Sequence, residues 1–217
     1  MVTSERGGRA VDGRGQARTR LARAAVISAA RALFVEQGYG AATVEAISNR
    51  SDVPPATVYR LFGSKLGILK AILDVSIGGD DEPVAMPDRT QVRQHLADPD
   101  PQTQLAGFVA VTSEVNSRTA AMYRVLVGAA SSDRGAAGLL EEINRQRHAG
   151  QGQVVRALAR AGAVRHGLAE RDAADIVFAL MSPEVYRLLV LDRGWPPRRY
   201  ERWLTETIAA SLLARDE

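Results

Sequence analysis

The sequence predicts an all-α protein, and three observations carry that expectation. Apolar residues recur at three- and four-residue spacing through most of the chain, the period of a helix that buries one face. Alanine and leucine abound while aromatics make up only 5 %, a mix that favours helix over sheet. No stretch alternates apolar and polar residues for long enough to read as a strand. The expected arrangement is an N-terminal three-helix domain built on a helix-turn-helix, followed by a larger C-terminal helical domain, with about nine or ten helices in all.

Met1 to Ala17 holds four glycines and three arginines and almost no large apolar residue, so a disordered basic arm is expected over 1–17. From Thr19 the pattern turns helical, with Leu21, Ala25, Ile27, Ala30, Leu33 and Phe34 on one face and Gly38 suited to leaving the helix. Thr43 can cap a second helix running to about Arg50, with Glu45 near its positive end. Ser51 to Val53 make a tight turn. Pro54 and Pro55 open a third helix, where a missing N–H goes unmissed, and it ends near Phe62-Gly63. Ser64 caps a fourth helix carrying Leu66, Leu69, Ile72 and Leu73.

Gly78 to Pro87 is acidic and rich in helix breakers, which places a boundary between a domain over 18–77 and another over 88–217. Helical patterns follow at Arg89–Ala97, Pro101–Ser117, Thr119–Ala130, Gly135–Ala161, Asp172–Leu191 and Pro197–Ala214, with Pro183 expected to kink or split its segment.

Composition excludes several chemistries. The chain has no cysteine, so disulfides, thiolate metal sites and thiol nucleophiles are absent. His95, His148 and His166 form no pair at helical ligand spacing, so no metal site and no cofactor is expected. No apolar run approaches the roughly 18 to 20 residues of a membrane span, and the N-terminus has no apolar signal core, so a cytoplasmic protein is expected. Net charge is +3, but residues 1–79 hold 11 Lys/Arg against 6 Asp/Glu. The basic surplus is N-terminal, where a polyanion would bind.

The stretch TVEAISNRSDVPPATVYRLFGSK meets the physical needs of a helix-turn-helix. Val44, Ile47, Val53, Val58 and Phe62 are spaced so that two short helices share one core, leaving Thr57, Tyr59 and Arg60 outside. The second helix of such a unit enters the major groove of DNA. Here the sequence resembles the TetR (tetracycline-repressor-like) family. The likeness covers about 50 residues, from Ala25 to Leu73: the Ala29-Ala30 pair, Leu33-Phe34, Gly38-Tyr39, Thr43-Val44, Ile47, Val53, Thr57-Val58-Tyr59, Phe62 and Lys65. Two positions depart from the family pattern. Asp52 stands where glycine is usual and the turn needs positive φ, which Asp tolerates better than most residues. Pro54 stands where Ser or Thr is usual and offers no capping oxygen, worth about 1 kcal/mol of helix stability.

The resemblance implies a ligand-responsive DNA-binding transcriptional regulator, a repressor sooner than an activator, and not an enzyme. It implies that Thr43 and Lys65 bind phosphates at helix N-termini, that Tyr59 reaches the DNA backbone, and that Pro55, Ala56, Thr57 and Arg60 approach base edges. Arg18 and Arg20 would lie where an N-terminal arm reaches the backbone or the minor groove.

One recognition helix binds weakly, whereas two about one DNA turn apart, roughly 34 to 36 Å, give useful affinity, so a homodimer on a palindromic operator is expected. Two C-terminal apolar stripes serve either the core or a dimer interface: Ile176, Leu180, Leu188 and Leu191, and Tyr200, Trp203, Leu204, Ile208 and Leu212. The family's habit of packing its last two helices between subunits implies the second reading. The resemblance also implies a pocket for a small apolar or amphipathic effector, with Phe108, Thr112, Met122, Tyr123, Leu126, Ile143 and Phe178 as candidate lining or ordinary core. A DNA-binding regulator without an inducer stays open. So does a helical enzyme using Glu141 and Glu142 or Asp172 and Asp175, although nothing in the sequence orients those carboxylates.

Overall fold

The computed structural model describes residues 8–79, 86 and 89–214 of the 217-residue chain. Every named element among them is helical. The chain divides into two compact units, Met1–Ile72 and Leu73–Glu217. The division falls inside the fourth helix, not in the Gly78–Pro87 stretch expected from the breakers. Residues 80–85, 87 and 88 of that stretch lie outside the described residues.

The first unit contains α1 (Gly8–Ala41), α2 (Val44–Ser51), α3 (Pro55–Phe62) and the start of α4 (Lys65–Gly78). Residues 8–17 are therefore helical, which corrects the expected disordered arm over that stretch; residues 1–7 lie outside the described residues. Once a helix is nucleated by a packed segment, each added residue gains a hydrogen bond, so α1 propagates through glycines that could not start it. Val26, Ala29, Ala30, Leu33 and Phe34 line its buried face. The helix breaks at Gly38, whose φ of 80° and ψ of 162° suit only glycine.

The second unit holds α5 (Thr90–Leu96), α6 (Pro101–Ala130), α7 (Arg134–Arg160), α8 (Glu170–Leu180), α9 (Pro183–Tyr186) and α10 (Pro197–Leu212). A π-helical stretch, Arg187–Asp192, continues α9. The Asp100 and Asp133 carboxylates accept the N–H groups of Thr103 (2.8 Å) and Ala136 (3.0 Å), capping α6 and α7. Pro183 splits its segment as expected: α8 ends at Leu180, and Ser182 caps α9 by accepting the Val185 N–H at 3.2 Å. Leu105, Phe108, Val154, Leu158, Val177 and Met181 form the centre of the core with Tyr200, Leu204, Ile208 and Leu212 of α10. An isolated antiparallel bridge, Val164 to Leu213, clips the end of α10 to the loop after α7. There Arg165 N–H donates to the Leu212 carbonyl (2.8 Å) and Ala214 N–H to that of Ala163 (2.9 Å).

The sequence suggests two helices where α6 runs unbroken through Asn-Ser-Arg-Thr at 116–119. Each polar group there has a partner. Asn116 donates to the buried Met181 carbonyl (3.1 Å). The Ser117 and Thr119 hydroxyls donate back to Glu114 and Val115 carbonyls within the helix. The Arg118 guanidinium donates to the Ser76 and Ile77 carbonyls at the end of α4, at 2.9 and 3.3 Å. The polar run is satisfied partly within the helix and partly, at Asn116 and Arg118, by tertiary contacts.

Candidate nucleic-acid interface

The first unit is built to hold α3 still. Thr43 is extended (φ −105°, ψ 159°), and its hydroxyl oxygen accepts the Ala46 N–H at 3.1 Å, capping α2 as expected. At the other end Asp52 takes the left-handed conformation (φ 54°, ψ 33°), the turn geometry that its side chain was expected to tolerate. The buried Ser48 hydroxyl donates to the Val53 carbonyl at 2.7 Å, and the Val53 N–H returns to the Ser48 carbonyl at 3.3 Å. This pair closes the turn from inside. Outside, Arg50 makes a bidentate pair with Glu36 of α1, at 2.6 and 2.9 Å. That pairing holds the Glu36 carboxyl below its usual range and lifts Arg50 above its own.

Pro54 begins α3 with its carbonyl alone, accepting from Thr57 and Val58 at 2.9 and 3.1 Å, with no side-chain cap. Val58 is buried, whereas Pro55, Ala56, Tyr59 and Arg60 are exposed and Thr57 is half-buried. The outward face of α3 thus carries the residues singled out from sequence, and Tyr59 stands 47 % exposed. The Arg23 guanidinium of α1 lies 5.1 Å from the centre of the Phe62 ring and braces the end of α3. Arg18 and Arg20 are exposed on α1 itself, in a helix and not a loose arm.

Lys65, expected at a phosphate, has protein partners. Its ammonium donates to the carbonyls of Tyr39 (2.7 Å), Ala42 (2.9 Å) and, more distantly, Gly40 (3.4 Å). It also sits 4.4 Å from the centre of the Tyr39 ring. From the first turn of α4 it therefore fastens the end of α1, beyond the break at Gly38, and the residue that follows it. Sequence reasoning missed Ser48, although a signal existed: with Val44 and Ile47 it completes the i, i+3, i+4 stripe of α2, a polar residue on a buried face.

In the second unit the candidate pocket residues are mostly core. Phe108, Met122, Tyr123 and Leu126 are buried, and Thr112, Ile143 and Phe178 partly so. Phe178 also borders an open groove of about 470 Å³, together with Glu141, Asn144, Arg145 and His148. His148 pairs with Asp175 at 3.1 Å. The candidate dimer stripe divides. Tyr200, Leu204, Ile208 and Leu212 are completely buried inside their own chain, so they are core and cannot form a contact surface. Leu188 and Leu191 are about half exposed, at 49 % and 54 %. Ile176, Leu180 and Trp203 lie between, packed on the core edge.

The first unit is thus a helix-turn-helix with a braced, outward-facing second helix, joined in sequence to a larger helical unit. Comparison with known proteins agrees. Residues 26–72 match the family model described as "Bacterial regulatory proteins, tetR family". Over 59 residues the chain is 34 % identical to the HTH-type transcriptional repressor BdcR of Escherichia coli (strain K12), a match spanning 27 % of this chain and 30 % of that repressor. NalD, the secondary repressor of the MexAB-OprM multidrug efflux pump in Pseudomonas aeruginosa, superposes with a TM-score of 0.70 at 18 % identity over 92 % of this chain and 100 % of NalD. A SmeT–triclosan complex gives 0.68 at 18 % identity over 89 % of this chain and 92 % of SmeT. At these identities the two structures share the fold. Residues 26–72 thus resemble the bacterial regulatory proteins of the tetR family.

Proposed function

We infer that the protein is a transcriptional repressor that binds a palindromic DNA operator as a homodimer and is released by a small effector. The observation that carries this is the exposed face of α3, held by the Ser48–Val53 clasp, the Arg50–Glu36 pair and the Lys65 anchor. Thr57 and Arg60 read base edges in the major groove, Pro55 and Ala56 make apolar contacts to thymine methyl groups, and Tyr59 donates to a phosphate. Thr43, Lys65, Arg18 and Arg20 supply backbone contacts or positive potential around them.

The second unit dimerises through Leu188, Leu191 and Trp203 with the exposed edges of Ile176 and Leu180. The likeness to NalD and to SmeT, one named a repressor and the other solved with triclosan, supports repression and an amphipathic effector. A ligand that favours one arrangement of α4 shifts the population away from DNA. A hundredfold loss of affinity needs about 2.7 kcal/mol of coupling.

Selection of bound duplexes from a random pool tests the reading. A palindrome with two half-sites is expected, and Arg60→Ala changes base preference at one position of each half-site. Recovery of no enriched sequence, or unchanged preference in Arg60→Ala, would overturn the assignment.

A further inference from the structure

The C-terminal turn of α4 is gripped by a side chain of α6. The last carbonyls of a helix have no partner within it. Gly79 closes α4 with a left-handed φ of 79°, and its N–H donates to the Val75 carbonyl at 2.8 Å. The Ser76 and Ile77 carbonyls are taken from outside: Nε and Nη2 of Arg118 donate to them at 2.9 and 3.3 Å. Nη1 of the same guanidinium meets Glu114, one turn back on α6, at 2.5 Å. A Cβ on Gly79 would lie 3.1, 3.2 and 3.4 Å from the guanidinium carbon, Nη2 and Nη1, so the planar group lies across the turn itself. Its charge meets the negative end of the α4 dipole, and its fork spans two carbonyls as a lysine ammonium does not.

The same stretch of α6 is held from its other side. Asn116 is buried, and its amide donates to the Met181 carbonyl, in the turn after α8, at 3.1 Å. Residues 116 and 118 stand about 200° apart around a helix, so the two contacts leave α6 in opposite directions. Either side of them, Phe108, Val109 and Ala120 pack into the core of the second unit. Close-packed elements shift as bodies between discrete arrangements, so α6 carries Arg118 with it when it moves against that core. α4 runs as one helix from Lys65 to Gly78, and its residues before Leu73 belong to the first unit. A grip on its last turn is therefore a grip on the helix that leads out of the helix-turn-helix.

We propose that Arg118 is the positioning residue that ties α4 to α6, so that the arrangement of the core around Asn116 and Met181 is passed to α4 and, through it, to DNA affinity. The grip stands on the geometry; its regulatory meaning rests on the DNA-binding reading above. Coupling between two sites is reciprocal, so the device can be observed without an effector. If the core biases DNA binding through Arg118, bound DNA biases the core through the same side chain.

Amide hydrogen exchange on the full chain, with and without a duplex enriched from the random pool, tests it. In the unaltered protein the duplex should slow exchange in α3 and also, by roughly threefold or more, in α6 around residues 114–119. Arg118→Met should keep the protection of α3 and lose that of 114–119, and Arg118→Lys should keep part of it. Gly79→Ala leaves Arg118 in place and sets a methyl group against it; it should weaken the same protection, and it decides the matter where Arg118→Met does not fold. Protection at 114–119 that survives in a folded Arg118→Met overturns the inference. So does faster exchange throughout α7 and α10 of that variant, with and without DNA, which marks a merely structural role. A duplex that protects α3 but leaves α6 of the unaltered protein unchanged removes this inference alone. A pool that yields no bound duplex removes the DNA-binding reading, and this inference with it.

Discussion

Lys65 shows how one side chain can serve architecture at a position that sequence associates with DNA. A charged hydrogen bond contributes about 1.5–3 kcal/mol when its partners are partly buried. Lys65→Ala removes two such bonds and a longer third from the end of α1 and the residue after it. Urea unfolding should show a loss of about 1–3 kcal/mol. DNA affinity should fall by a similar factor for every sequence, since the loss is of potential and of backbone position and not of base readout. Arg147 is likewise placed by distant partners, donating to the Phe178 carbonyl and stacking on the Phe178 ring. Both were hidden in the sequence, because partners 26 and 31 residues away in the chain decide what each does.

Among the elements, α3 has a correctable weakness. Pro54 gives it a fixed φ but no side-chain cap. Pro54→Ser adds a hydroxyl that can accept an α3 N–H, and should raise stability by about 1 kcal/mol in thermal or urea unfolding. An unchanged midpoint would mean that the proline's restriction of the unfolded chain already offsets the missing cap. Element boundaries were largely legible from periodicity and capping residues: α2, α3, α5, α7 and α10 begin and end within a few residues of expectation. The joining of α6 was not, because Asn116 and Arg118 take partners from the turn after α8 and from α4. The inward face of α10 was not legible either. An apolar stripe has the same spacing whether it meets its own chain or a second one. The better signal lay in α7, where Asn144, Arg147 and Gln151 interrupt an otherwise apolar stripe at helical spacing.

At the scale of the molecule, burial and ionisation can be read together. Tyr123, Tyr186 and Tyr200 are all held above the usual phenol value, in each case chiefly by burial. A raised value in the folded state favours the neutral phenol. Its contribution is complete below the unfolded value of about 10 and is lost as pH rises through the folded values. Alkaline titration should therefore show phenolate absorbance and loss of helical circular dichroism rising together. Phenolate forming while helicity persists would mean that these rings reach solvent without unfolding. Dimerisation is tested at the same scale. Leu188 and Leu191 are exposed and Tyr200 is not, so Leu191→Glu should yield a folded monomer in sedimentation and weaken operator binding at least tenfold. A Leu191→Glu protein that stays dimeric places the interface elsewhere.

The clip between Leu212–Ala214 and Ala163–Arg165 bears on how fast the protein folds. It joins segments some fifty residues apart, and α10 packs on an α6 that lies farther away still. Closing such loops costs entropy before any contact repays it, and domains rich in distant contacts cross their barrier slowly. The first unit joins neighbours, α1 to α2 and α2 to α3. Refolding should therefore proceed in two phases, a fast one that completes the helix-turn-helix and a slower one that waits for α10 to return to its place.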